Sequence, residues 1–352
     1  MTSLDDVLAL VRIDSVSGNE AALATHVETR LRENPLLDVE RVGDNVVART
    51  RGSHRNRILI AGHLDTVPGD PGAAVVRGDV LHGLGACDMK GSLAAMIDLA
   101  LESEPRPSEV TWVFYAREEI ARTESGLVEI TQLRPDLLAA DVAVLAEPTG
   151  GRVEAGCQGS LRLRVTLAGA RAHTARPFTG RNAVHRLGEL LRVVASYVPR
   201  EVLIDDVVFT EQLQAVGVSG GIAGNVVPDS ASCLLNHRVA PDRTRDDAVS
   251  WLRTFLGDVL EAADTLDVLD WAPAAVPALT NGHLSRLVRD TGVPARAKVG
   301  WTDVATFQEL GIPATNFGAG DPLLAHRSDE FVTQDEVTDF RRTLGDWLRA
   351  AM

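Results

Sequence analysis

Hydrophobic positions along the chain follow two textures. Over residues 1–158, stretches with an apolar residue every three to four positions alternate with short, nearly continuous apolar runs. Residues 3–11 and 19–33 carry the helical period, and Ser17 stands where the second of these helices would be capped. Residues 46–50 and 58–62 read as strands. Beyond Gly83-Leu84-Gly85 the pattern predicts a helix over 90–101, a strand over 110–115, a helix over 126–133 and a strand over 142–146. Such alternation builds a largely parallel sheet covered by helices.

The texture changes at Gly156-Cys157-Gln158-Gly159. Leu161-Arg162-Leu163-Arg164-Val165-Thr166-Leu167 alternates strictly, as a half-exposed strand does. A helix over 182–197, strands over 212–218 and 230–239, a helix over 244–262 and a last strand near 266–269 follow. This β-α-β-β-α-β order is the split βαβ pattern of a ferredoxin-like domain. The first texture then resumes, with a strand over 295–299, a helix over 303–310, a strand over 314–317 and a closing helix over 334–350. The expected fold class is therefore α/β: a discontinuous domain of residues 1–158 and 272–352 with a mainly parallel sheet, interrupted by an inserted α+β domain of residues 159–271. A length of 352 residues also exceeds what one core usually fills.

Charge and composition narrow the partners. A formal charge of −14 argues against nucleic acid, because binding a phosphate backbone needs clustered Lys and Arg. The densest basic stretch, 51–57, is interleaved with Gly, Ser, His and Asn and reads as a solvated turn between strands. Met1-Thr2-Ser3-Leu4-Asp5-Asp6 is acidic where a secretory leader would be basic. No apolar run approaches the roughly 18 residues a membrane span needs. The expectation is a soluble, cytoplasmic protein with no membrane partner. Cys87, Cys157 and Cys233 are odd in number and lack CxxC spacing, which predicts reduced thiols.

Charged residues stand directly after the apolar runs, where ligands collect in open α/β sheets. His63-Leu64-Asp65 follows 58–62, Glu118-Glu119 follows 110–115, and Glu147 follows 142–146, while Asp88 and His326 sit in glycine-containing loops. Carboxylates mixed with imidazoles are typical ligands of first-row metals. His63 and Asp65 are two apart, so on a continuing strand both point to one side. The Asp65 carboxylate could then accept the second N–H of a metal-bound His63 ring. Asp88, just before the 90–101 helix, is equally well placed to cap it. Adjacent strand residues face opposite ways, so Glu118 and Glu119 divide labour, one a metal ligand and the other a general base toward water. Each residue alone has an ordinary structural use, and the ordered set is what implies a metal centre. The glycines near Asp88 match neither GxxxxGK[ST] nor GxGxxG, which argues against a nucleotide cradle.

Taken in order, His63-Leu64-Asp65-Thr66-Val67-Pro68, Gly85-Ala86-Cys87-Asp88-Met89-Lys90-Gly91, Glu118-Glu119, Glu147-Pro148-Thr149 and the late His326 resemble the metal-site segments of the M20 metallopeptidase and deacylase family, over essentially the whole chain. The resemblance implies a di-zinc exopeptidase-like catalytic domain and an inserted dimerisation or lid domain through which a homodimer forms. It implies two zinc ions, with cobalt as a possible substitute, bridged by Asp88. His63 and Glu147 would complete one ion, Glu119 and His326 the other, with Glu118 as general base and Asp65 orienting His63. His173, in Arg171-Ala172-His173-Thr174, matches the family histidine that in dimeric relatives reaches the partner's metal site and helps stabilise an oxyanion. Asn225, Arg238 and Thr302 match substrate-contact positions, Arg238 being suited to bidentate pairing with a substrate carboxylate.

The implied reaction is hydrolysis of a linear amide in a small N-acyl amino acid, with a short peptide as the alternative substrate. Two departures from the family pattern are visible. Ile120 stands where Gly usually follows the paired glutamates, and Gly156-Cys157-Gln158-Gly159 lacks a basic residue common in deacylases. A non-catalytic relative would lack a ligand or the base, and neither is missing here.

Overall fold

The computed structural model describes residues 2–52, 56–70, 74–102 and 106–350, so the turn expected over 51–57 lies partly outside the described residues. Packing divides the chain into two compact units. One comprises Met1–Gly156, Pro277–Lys298 and Thr302–Met352, the other Cys157–Val276 and Val299–Trp301.

The first unit is built on an eight-stranded sheet. Its order is Leu37–Val42, Asn45–Thr50, Glu109–Tyr115, Arg57–His63, Val142–Leu145, Ala314–Asn316, Glu154–Ala155 and Arg296–Ala297. The four central strands, from Glu109–Tyr115 to Ala314–Asn316, run parallel, so their carboxyl ends share one rim. All seven positions of Glu109–Tyr115 are buried, which is why its sequence shows a continuous apolar run rather than alternation. The helix Gly91–Leu101 is apolar on nearly every side and packs against Gln334–Arg349, whose start is fixed by a Thr333–Glu336 capping box. Gly62 of the central strand leaves room for the side-chain tips of that buried helix and of Met89. A Cβ there would stand 2.7 Å from a Leu93 methyl and 2.8 Å from the Met89 methyl.

Three local differences from the sequence reading have physical causes. The hairpin of Leu37–Val42 and Asn45–Thr50 was not expected, because Asp38, Glu40 and Arg41 solvate its outer strand and blur the period, while Gly43 takes the turn at φ 57°. Ser17 does not cap the second helix. That helix, Ala21–Leu31, begins after Glu20 with no side-chain cap, and the Ser17 hydroxyl donates instead to Asp65. Asp88 does not cap Gly91–Leu101 either. Lys90 holds that position, and Asp88 lies two residues earlier in non-helical backbone. A small second sheet of Phe331–Thr333, Val80–His82 and Val75–Arg77 lies in the same unit.

The second unit carries a four-stranded antiparallel sheet in the order Gln212–Gly220, Ser230–Val239, Gly159–Ala168 and Thr265–Ala272. With the helices Ala183–Ala195 and Arg245–Phe255 this is the ferredoxin-like arrangement. Leu161, Leu163, Val165 and Leu167 are fully buried and the residues between them are not, as the alternation required. The helix Arg245–Phe255 stops well short of 262. Val259 and Leu260 still pack on the core, which preserved a helix-like spacing past the true end. An additional hairpin, Glu201–Ile204 with Val207–Thr210, turns through Asp205 and Asp206, both with positive φ. No helix among the described residues is long and apolar enough to cross a membrane.

Candidate active site

The rim of the parallel sheet supplies the first residues of the site. His63 is the last residue of its strand and is buried. Its Nδ1 lies 2.9 Å from the Asp65 backbone carbonyl, and its Nε2 lies 3.0 Å from Asp88 Oδ1. Because the strand ends at His63, the expected arrangement of Asp65 is corrected. Its carboxylate stands 3.7 Å from the ring, and the backbone carbonyl takes the near position. The carboxylate is directed elsewhere, accepting the backbone N–H groups of Glu118 and Glu119 at 3.0 Å each and the Ser17 hydroxyl at 2.7 Å.

Glu118 and Glu119 are likewise not on a strand. Glu109–Tyr115 has ended, and Arg117 turns the chain with φ 61° while its N–H donates to Glu20 at 3.0 Å. The two glutamates are therefore set by a turn held from outside by Asp65 and Glu20, not by strand alternation. Glu147 stands two residues past the end of Val142–Leu145 and is buried, and its Oε1 has no hydrogen-bond partner among the described residues.

Asp88 and His326 arrive from loops. The backbone N–H groups of Cys87 and Asp88 donate to Glu330 Oε1 at 2.8 and 2.9 Å, so a buried glutamate holds the Asp88 turn. His326, at φ 64° and half exposed, places Nε2 2.8 Å from Glu119 Oε1 and 3.5 Å from Asp88 Oδ2. Asp88 thus faces His63 with one oxygen and His326 with the other. Among the described residues two groups have ligand atoms mutually within 4.8 Å: His63, Glu118 and Glu119, and Asp88, Glu119 and His326. Glu147 falls outside both of these compact groups.

Electrostatics follow from crowding four carboxylates with two imidazoles. Hydrogen bonds to Asp88 and Glu119 push His326 up to about 10. Burial alone would lower His63, but Asp88 outweighs it and holds the ring well above its ordinary value. Burial would raise Asp88, yet bonds from His326 and His63 hold it below the ordinary range. Burial, then repulsion from Glu147, raises Glu118 well above the usual carboxylate range, and burial with Asp88 nearby pushes Glu147 up to about 7. His63, His326, Glu118 and Glu147 are thus all shifted toward their protonated forms around a deprotonated Asp88. That charge demand, the short spans between donors and the unpartnered Glu147 oxygen fit divalent cations.

The other expected residues are elsewhere. Thr302 is buried and its hydroxyl donates to Asn316 at 2.9 Å, so it faces the interior of the first unit instead of an open surface. His173 and Asn225 are neighbours in the second unit, where the Thr174 N–H donates to the Asn225 carbonyl at 3.1 Å and Ala175 N–H to His173 Nδ1 at 3.0 Å. Arg238 lies on Ser230–Val239, directly opposite Ser160 and Gln212. Glu20 and Glu330, which set the two turns, gave no sequence signal beyond being acidic. Burial of an acid was the only available clue, and burial is not legible at isolated positions.

Residues 59–350 match peptidase family M20/M25/M40. A Mycobacterium tuberculosis protein provisionally named succinyl-diaminopimelate desuccinylase is 44% identical over 344 residues, covering 96% of each chain. A Corynebacterium glutamicum succinyl-diaminopimelate desuccinylase is 42% identical over 349 residues, covering 96% of this chain and 94% of that one. A solved Bacillus subtilis structure, described as a dinuclear metal-binding peptidase of the M20 family, shares the fold with a TM-score of 0.73 at 16% identity, covering 98% of this chain and 96% of its own. With a family match that takes in every residue of the cluster, the chain belongs to peptidase family M20/M25/M40.

Proposed function

We propose that the chain is a dinuclear zinc amidohydrolase that hydrolyses N-succinyl-LL-2,6-diaminopimelate to succinate and LL-2,6-diaminopimelate, a step toward lysine and cell-wall precursors. The observation that carries this reading is the convergence of His63, Asp88, Glu118, Glu119, Glu147 and His326 in one unit of a chain 44% and 42% identical to relatives named for that reaction.

His63, Asp88 and Glu147 would hold one ion, and Asp88, Glu119 and His326 the other. The two-sided exposure of the Asp88 carboxylate to His63 and His326 supports its sharing. When bound, such ions supply Lewis acidity toward the amide carbonyl and bring water toward a pKa near 7. Glu118, whose burial among carboxylates makes it a ready proton acceptor, takes the proton from the attacking water and delivers it to the leaving amine. Asp65 keeps that base in one place through its backbone. Arg238, opposite Gln212 and Ser160 in its sheet, carries a guanidinium suited to a substrate carboxylate.

We read the second unit as a dimerisation domain. Among the described residues Gln212–Gly220 is an edge strand of its sheet, with Val216 and Val218 exposed, a surface that a second copy would cover. His173, exposed in the same unit, is the residue a dimer would present to a neighbouring site. The buried thiols of Cys87 and Cys233 suit a reducing, cytoplasmic setting.

The test is a comparison of kcat/KM on succinyl-diaminopimelate and acetylornithine for metal-replete protein, with and without chelator. Preference for the succinylated substrate and loss of turnover with chelator are expected. Preference for the acetylated substrate reassigns the acyl specificity, and turnover that survives chelation overturns the metal-dependent reading.

A further inference from the structure

Glu147 does not stand alone at the end of its strand. The Lys298 ammonium lies 3.9 Å from Glu147 Oε2, and Lys298 is itself buried. It donates to the Pro148 carbonyl at 3.2 Å and pairs with Glu154 Oε2 at 3.1 Å. Glu154 is held in turn by Arg296, whose Nε reaches Glu154 Oε1 at 2.7 Å. Glu154 and Arg296 are directly paired residues of two parallel strands at the sheet edge, so the chain of charges rests on fixed backbone. The other Glu147 oxygen, Oε1, is buried without a partner among the described residues.

A buried ammonium with three oxygen neighbours has a defined position, because an unpaired buried charge is costly. Its attraction for Oε2 fixes the carboxylate torsion and leaves Oε1 as the oxygen available to a cation. Lys298 also offsets one negative charge in a pocket where Asp88, Glu119 and Glu147 converge. The order along the network is Arg296, Glu154, Lys298, Glu147, with alternating sign throughout.

We propose that Lys298 is a positioning residue that orients Glu147 for metal, with Glu154 as its anchor. This rests on the reading of Glu147 as a metal ligand. Lys298 touches no reacting atom in this role and acts chiefly through Glu147, with a lesser electrostatic influence on Asp88. Outer partners of metal ligands typically contribute about 10- to 100-fold to metal affinity, and the proposal sets Lys298 in that range.

The experiment uses full-length protein stripped of metal and titrated with cobalt(II), reading stoichiometry, affinity and the visible absorption of each bound ion. Lys298→Met should weaken one of the two ions by about tenfold or more and change its absorption band, with a smaller effect on the other ion, which shares Asp88. Glu154→Gln, which keeps the ammonium but loosens its anchor, should weaken the same ion by a smaller factor. It serves as the test if Lys298→Met does not fold. Lys298→Arg, retaining the charge, should bind that ion more tightly than Lys298→Met does. Glu147→Ala separates the two levels of the argument. If it still binds two ions with wild-type affinity, the ligand reading of Glu147 falls. If it loses one ion while Lys298→Met and Glu154→Gln bind both ions with unchanged affinity and spectra, the positioning role of Lys298 falls and the ligand reading stands.

Discussion

The Asp65 carboxylate accepts the backbone N–H of Glu118 at 3.0 Å, and its second oxygen accepts that of Glu119 at the same distance. One side chain thereby sets the main chain of both members of the acidic pair. Asp65→Asn retains one acceptor and turns an NH2 group toward an N–H donor. We expect its kcat to fall by about 10- to 100-fold with metal content and KM little changed. Steady-state kinetics with metal analysis on the same sample checks this, and a kcat equal to wild type would remove Asp65 from the mechanism.

Glu118→Gln is nearly isosteric and keeps the backbone bond to Asp65. A general base of this kind contributes about 100- to 10,000-fold, so kcat should drop by that factor while two ions remain bound. Near-normal turnover with metal present would assign the base elsewhere.

Metal uptake should release protons. His326 is held at about 10 by Asp88 and Glu119, so at neutral pH in the metal-free cluster it is an imidazolium, whereas a ligating ring must be neutral. Affinity therefore rises as pH rises toward 10 and falls in acid. Calorimetric titration in two buffers of different ionisation enthalpy measures the release, and identical heats in both would contradict it.

The second unit contains an acid-sensitive clamp away from the chemistry. Arg186 reaches Asp264 with two nitrogens at 2.8 and 2.6 Å. Burial opposes the charged form, but these bonds and the N–H groups of Ala168 and Glu261 hold Asp264 at about 2, below its ordinary 3.8. A depressed carboxyl contributes stability that is complete above 3.8 and is lost as pH falls through 2. The shift corresponds to about 2 kcal/mol, so Asp264→Asn should destabilise the fold by that order at neutral pH and by little near pH 2. Urea unfolding at the two pH values decides, and equal losses at both would exclude the linkage.

How much of this was legible depends on where each residue's neighbours lie along the chain. His63 and Glu147 could be placed from sequence because the apolar runs before them are local and mark strand ends. The helical and strand periods of the second unit carried its order for the same reason, except where Asp205-Asp206 made a turn without the usual glycine. The partner of the Asp65 carboxylate was misjudged because its direction depends on where a strand stops, which periodicity locates only to a few residues. Glu330 and Lys298 were invisible because their roles depend on contacts with Asp88 and Glu147, both remote in sequence.

The division of the first unit into segments on either side of Cys157–Val276 has a consequence for biosynthesis. During translation, His63, Asp88, Glu118, Glu119 and Glu147 emerge early, whereas Lys298, His326 and Glu330 follow only after Cys157–Val276 has been made. The crowded carboxylates thus wait through that interval without their late cations and anchors. Completion of the chain, and not the folding of its first half, is the event that finishes the pocket.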